Sequence, residues 1–240
     1  MLIQKRILIL IFLSLSLFSK EIISETVEEI VVLGDWRETS TDQEDSSVVL
    51  LDAKKIKSQS MKHFEQLSYL VPNLNFAASD SRARYFQIRG IGERSGYQGT
   101  PNSSVGFLID DIDYSGQGGI ATTFDVDQIE IHRGPQGSRI GANALAGLIY
   151  IKTKDPTEEF EATSEITTGS FGTKSAGLAF GGPLANNKNI AYRLVLRKDN
   201  SDGFRKNLYL KRSDTSRKDE TTSRLKIDWK MDEKTSVKLL

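Results

Sequence analysis

The chain has no cysteine among its 240 residues, which excludes a disulfide framework and any thiolate metal site. It does not exclude export, because large exported β-proteins fold without disulfides. Histidine is nearly as scarce. His63 and His132 stand far apart, with no spacing that suits a shared metal ion. A surplus of one charge is also missing: 32 basic residues face 32 acidic ones, so no broad basic field draws the chain to nucleic acid. No G-x-x-x-x-G-K-[ST] loop occurs, and Gly90, Gly92 and Gly96 are spaced one residue too widely for a dinucleotide fingerprint. No segment reads as a mature transmembrane helix. No nucleophile–base pair or metal cluster stands out, so the expectation is no enzyme, no cofactor and no metal.

What is present begins with a basic start, Lys5 and Arg6, and an apolar run from Ile7 to Phe18. The run is shorter than the ~20 residues of a spanning helix, and residues 1–24 read as a secretory signal peptide. Cleavage after Ser19 and cleavage after Ser24 both fit. Glu28 to Arg37 (EEIVVLGDWR) reads as an extended segment, because β-branched residues lie between carboxylates and a glycine. Glu38 to Ser47 is polar without apolar periodicity and reads as a flexible linker.

Val48 to Leu51 predicts a strand, and Asp52 a cap for a helix over Ala53 to Lys57. Ser60 is the expected cap of a second helix, with Phe64, Leu67 and Leu70 or Val71 on one face and Pro72 ending it. His63 falls in the first turn, as a solvated or packing side chain. Asp110, Asp111 and Asp113 invite a calcium-loop reading, but the twelfth position is Thr122 where a bidentate glutamate is required. They read instead as turn residues at a strand end. A hydrolase using these acids is the enzyme alternative, and nothing else in the sequence asks for it.

From Gln128 the chain reads QIEIHRGPQGSRIGANALAGLIYIKTKDP. An alternating strand runs into the turn Arg133-Gly134-Pro135-Gln136-Gly137. Small residues follow (Gly141, Ala142, Ala144, Ala146, Gly147), then a second strand to Lys154. After Pro156 the pattern becomes purely alternating: Phe160 to Thr167, Ala176 to Phe180, Tyr192 to Arg197 and Arg224 to Lys230. Such segments, joined by short turns and longer loops, fit a transmembrane β-barrel. They equally fit a soluble antiparallel sheet with one face on a core.

The order strand, RGPQG turn, small-residue run and GLIYIKTK strand resembles the plug domain of TonB-dependent outer-membrane receptors. YFQIRGIG (Tyr85 to Gly92) and HFEQLSYLVPNLNF (His63 to Phe76) resemble two further plug segments. The resemblance implies an α+β plug domain, a small mixed sheet with short helices, over residues 48–156. The first antiparallel strands of the barrel would follow over 157–240, and a coupling segment with its linker would occupy 25–47. Plugged barrels of this kind have ~22 strands, so the chain is expected to be the front part of a longer receptor.

The same resemblance implies a TonB box at Glu29, Ile30, Val31, Val32 and Leu33, engaging the TonB energy-transducing protein by strand addition. Relatives usually carry a small residue where Leu33 stands. Arg89, Gly90, Gly92, Arg133, Gly134, Pro135, Gly137, Gly141, Ala142 and Gly147 form the plug's structural motif. Arg89 and Arg133 are expected to pair with carboxylates. Gln98, Asn102, Ser115 and Gln117 are the ligand-contact candidates at the plug apex. The implied function is import of a scarce bulky solute across the outer membrane of a Gram-negative bacterium, with the plug facing the periplasm. The partners would be outer-membrane lipid, TonB and a small ligand such as a metal chelate, iron–siderophore by default. A barrel-less periplasmic binding module with a plug-like fold is the alternative.

Overall fold

The computed structural model describes residues 31–32, 39–40, 47–78, 82–98, 102–184, 187–232 and 234–240. The expected signal peptide lies outside these residues, as do Glu29, Ile30 and Leu33 of the expected coupling segment. Of that segment, β1 (Val31–Val32) is described, and it pairs antiparallel with β2 (Thr39–Ser40). The stretch read as a plain linker therefore contributes a short strand.

β3 (Ser47–Asp52) runs into α1 (Ala53–Ser58), where the Asp52 carboxylate accepts from Lys55 N at 2.6 Å. That bond satisfies one of the free N–H groups at the helix start. The second helix starts later than its sequence suggests. Ser60 sits after α1 in a left-handed turn, φ 51°, and caps nothing. His63 caps α2 (Phe64–Leu67) instead, its Nδ1 accepting from Glu65 N at 3.2 Å. Tertiary bonds explain the delay: Thr123 N donates to Lys62 O (3.1 Å), and Thr123 Oγ1 donates to Met61 O (2.5 Å). Residues 61 and 62 are thus held outside any helix.

β4 (Leu74–Ala78) and β5 (Ala83–Ile88) make a two-stranded ribbon. β6 (Val105–Ile109) and β7 (Ile112–Asp113) are joined by Asp110–Asp111, with φ of 49° and 69°. Positive φ at both positions matches the twist of a two-residue hairpin. β8 (Val126–Arg133), α3 (Gly137–Ile140) and β9 (Gly147–Thr153) complete the unit. One mixed sheet results, in the order β3-β8-β9-β6-β7, with β9 antiparallel to β8 and parallel to β6. β3 is therefore an edge strand, held along its length by β8 alone. One sheet face (Leu51, Phe107, Ile129, Ile131, Ile149, Ile151) packs on Phe64, Leu67 and Phe86. The Phe86 ring centroid lies 5.2 Å from that of Phe64 and 5.3 Å from that of Phe107.

The second sheet is an antiparallel meander: β10 (Glu161–Gly169), β11 (Thr173–Leu184), β12 (Asn187–Ser201), β13 (Lys218–Lys230) and β14 (Ser236–Leu239). Its faces are inverted relative to a soluble sheet. Arg193 and Lys226 are buried, at 2% and 6% exposure, whereas Ile166 and Leu196 on the opposite face are 83% and 44% exposed. Phe180, Tyr192 and Trp229 also lie on that outward face, toward the end with short turns. A soluble sheet buries its apolar face. A wall that turns apolar residues out and charge inward is built for lipid, and β11, β12 and β13, at 12, 15 and 13 residues, are long enough to span it.

Candidate functional site

β8 delivers the RGP turn. Arg133 pairs with Ser47 on one side and Gly147 on the other. Gly134 N donates to Ala146 O (3.1 Å) and Gln136 N to Ala144 O (2.9 Å), which folds the small-residue run back onto the sheet. α3, beginning at Gly137, is closed by Gly141 at φ 78°. Ala144 and Ala146 are buried, while Pro135 and Ala142 face solvent. The tightest point is Gly147. Its φ is 157°, and a Cβ there would stand 2.3 Å from His132 O. Only glycine fits.

The IRGIG turn is also backbone-driven. Arg89 (φ 53°) and Gly90 (φ 81°) reverse the chain, so that Ile88 and Ile91 exchange backbone hydrogen bonds at 3.0 Å. Gly92 follows at φ 147°, against Phe86 O. Arg89 is exposed, and the buried Arg133 Nε has no hydrogen-bond partner among the described residues. Neither arginine reaches a described carboxylate.

The ion pairs lie elsewhere, along the inward face of β13. Lys218 Nζ donates to Glu65 Oε1 at 3.3 Å, and Arg82 grips both oxygens of Glu220 at 2.6 and 2.5 Å. Arg224 and Arg193 converge on Asp125, at 3.5 and 2.5 Å. Lys226 Nζ donates to Asp110 Oδ1 (2.9 Å), Asp155 Oδ1 (3.0 Å) and Thr153 O (3.0 Å). Lys230 meets Glu158 at 2.9 Å. One strand is thus clasped to residues of the mixed-sheet unit at nearly every inward position. The acidic trio finds its roles here: Asp110 holds Thr153 and Lys226, and Asp113 accepts from Ser115 N and Asn143 Nδ2. Sequence reading missed Glu65, Arg82, Asp125, Glu220, Arg224 and Lys226. The available signal covered only part of the strand, where Arg224, Lys226, Asp228 and Lys230 alternate with Leu225, Ile227 and Trp229.

Glu65 is the hub. Burial pushes its carboxyl up, but the bond from Ala83 N and the Arg82 guanidinium hold it below the usual range. His63 is buried beside it. Its Nε2 bonds to Gly119 O at 3.0 Å while Nδ1 accepts from Glu65 N, which fixes the neutral tautomer with the proton on Nε2. Burial, then the Arg82 charge, lowers its pKa to about 4.

The two candidate apical loops meet at one side chain. Tyr85 packs between Gly96 and Gly116, and Arg84 Nε donates to Gly116 O at 3.0 Å. Gln98 ends a short 3-10 turn, and Asn102 and Gln117 are exposed. Ser115 is turned to structure, its Oγ accepting from Phe107 N. A cleft of about 690 Å3 opens below, lined by His63, Tyr114, Gly119 and Ile120 on one side and Glu220 to Leu225 on the other.

A small mixed-sheet domain clasped to the charged face of strands that turn their apolar residues outward is the arrangement of a plug against part of a barrel wall. Residues 40–148 match the family model for the TonB-dependent Receptor Plug Domain. The ferripyoverdine receptor of Pseudomonas aeruginosa is 22% identical over 66% of this chain and 19% of its own length. The ferric enterobactin receptor PirA of the same organism is 24% identical over 76% of this chain and 28% of its own. The crystal structure of the ferripyoverdine receptor bound to ferripyoverdine superposes with a TM-score of 0.70 at 16% identity, covering 87% of this chain and 26% of that one. Residues 40–148 thus carry a plug domain of the TonB-dependent receptor kind, and the relatives that share it are receptors of the Gram-negative outer membrane. The chain spans between a fifth and a third of the length of these relatives.

Proposed function

We propose that the protein imports a bulky metal chelate, iron–siderophore by default, driven by TonB. The observation that carries this reading is the contrast between the clasped inner strands and the lightly held β3. The coupling segment Glu29 to Leu33 precedes β3 in the chain, so tension on it reaches the sheet at its free edge. β3 can be drawn off β8 a few bonds at a time, whereas β6, β8, β9 and α2 belong to a body tied to β13 through Asp110, Asp125, Asp155 and Glu65. Tension on this design opens one side of the plug and leaves the remainder in place.

Two siderophore receptors among the relatives support the choice of cargo class. Gln98, Asn102, Ser115 and Gln117 are the proposed apical contacts. Arg89 and Arg133 are proposed to hold the plug against further carboxylates, and alanine at either should increase leakage of large antibiotics. The test of the function is uptake of radiolabelled ferripyoverdine and ferric enterobactin by cells expressing the receptor, with Val31→Pro and Val32→Pro as coupling variants. Binding retained with uptake lost supports the reading. Uptake that persists without TonB overturns it.

A further inference from the structure

The loop between β12 and β13, residues 202–217, carries a cluster that import leaves unused. Its root lies over the plug, where the rings of Phe204 and Phe171 are 6.2 Å apart. Beyond the root the chain doubles back at Asn207 and Arg212, which exchange two backbone hydrogen bonds of 2.8 and 3.1 Å. Asn207 Oδ1 accepts from Leu210 N at 2.9 Å, and Lys211 takes a left-handed φ of 52°. The tip is a closed turn with its own bonds.

That turn holds Leu208 and Tyr209 almost bare, at 86% and 93% exposure, with Leu210 beside them. Arg205, Lys206 and Lys211 stand around the three, exposed and without a carboxylate partner among the described residues, Arg205 resting over the Phe204 ring at 5.6 Å. Arg212 is already held by Asp214. The loop carries five basic residues against two acidic ones, although the whole chain is neutral.

Apolar side chains and cations without a counter-charge make opposite demands in water, and both are met at the boundary of an anionic lipid layer. The loop springs from strands whose outward faces are apolar, so its base stands in the lipid-facing wall. A dissolved anion would engage the cations and leave Leu208, Tyr209 and Leu210 in water, which disfavours it. We propose that the turn Asn207 to Arg212 docks on the phosphorylated glycolipid headgroups of the outer leaflet. Leu208, Tyr209 and Leu210 enter the headgroup boundary, and Arg205, Lys206 and Lys211 meet the phosphates. The proposal rests on the outer-membrane reading and is independent of the cargo.

The test places tryptophan at the tip (Tyr209→Trp) in the receptor, reconstituted into phosphatidylcholine nanodiscs. The discs contain a diphosphorylated glucosamine lipid, its dephosphorylated form or no glycolipid, and the signal of the unsubstituted receptor is subtracted. The expected result is a blue shift, with quenching by acrylamide reduced about threefold, on the phosphorylated lipid alone. Adding Arg205→Glu, Lys206→Glu and Lys211→Glu should raise the glycolipid content needed at least tenfold, with thermal unfolding unchanged. An equal response to the dephosphorylated lipid overturns the proposal. So does a response that survives the three reversals, or one elicited only by a ferric chelate or a protein. Failure of the outer-membrane reading itself would show differently, as a receptor that does not enter the discs.

Discussion

Arg82 and Glu220 stand 138 positions apart and meet in a two-pronged ion pair, Nε and Nη2 donating to the two carboxylate oxygens at 2.6 and 2.5 Å. The third arm of Arg82, Nη1, reaches Glu65 at 2.5 Å, so a single guanidinium joins α2, the start of β5 and the wall. A planar fork suits two carboxylates where an ammonium would not. Arg82→Ala leaves Glu220 without its partner and Glu65 with only Lys218 and the Ala83 N–H, and should destabilise the plug by about 2–4 kcal/mol. Glu220→Ala should cost less, since Glu65 still compensates the arginine. The double variant should fall short of the sum by about 1–2 kcal/mol in denaturant unfolding, because the two share one interaction. Strict additivity would show that the pair does not couple plug to wall.

His63 sets a pH dependence. Its pKa is about 4 in the folded protein against 6.5 for a free imidazole, so the unfolded chain takes up the proton first. Stability is complete above pH 6.5 and is lost as pH falls toward 4, by about 3 kcal/mol. His63→Asn keeps a capping oxygen and removes the titration. Its unfolding free energy, about 1 kcal/mol lower at pH 7.5 for the lost Gly119 bond, should fall less steeply between pH 6.5 and 4.5. Identical slopes would contradict the assignment.

Two glycines of the motif separate strain from crowding. Gly90 has φ 81° and open space around it, whereas Gly147 has φ 157° and His132 O in the way. Gly90→Ala should cost about 1 kcal/mol. Gly147→Ala must also part β8 from β9 and should cost about 3–5 kcal/mol, seen as protease sensitivity of the plug. Equal effects would mean that the close approach is unimportant.

The wall predicts an inverted tolerance. Leu196 faces outward near the middle of β12, and Leu196→Arg should destabilise membrane insertion by about 2–4 kcal/mol. Leu196→Phe should be accepted. A soluble sheet would tolerate arginine at a position already 44% exposed, so unimpaired assembly of Leu196→Arg would return the sheet to that alternative.

What could be read from the sequence was local. The Asp52 cap, the RGPQG turn and the alternation of β10 to β13 depend on neighbours within a few positions. Alternation gave the faces of those strands without telling which faced lipid; burial of Arg193 and Lys226 decides it. The His63 cap was hidden because Thr123, some sixty positions on, holds the two residues before it. The pairings of Arg82 with Glu220 and of Arg193 with Asp125 depend on strand register and plug placement together, which no short pattern encodes. Attention fell on Arg89 and Arg133 because they sit in recognisable turns, while the arginines that reach described carboxylates sit in unremarkable sequence.

The most direct test of the account is a lock on the edge strand. Val49 and Ile131 are cross-strand partners of β3 and β8, and with no native cysteine the double variant Val49→Cys/Ile131→Cys forms one defined disulfide. On the proposed import of a ferric chelate, uptake should stop on oxidation and return on reduction, with binding unchanged throughout. Undiminished uptake by the oxidised form would show that β3 does not leave β8 during transport, and the proposed opening of the plug at its edge would be wrong.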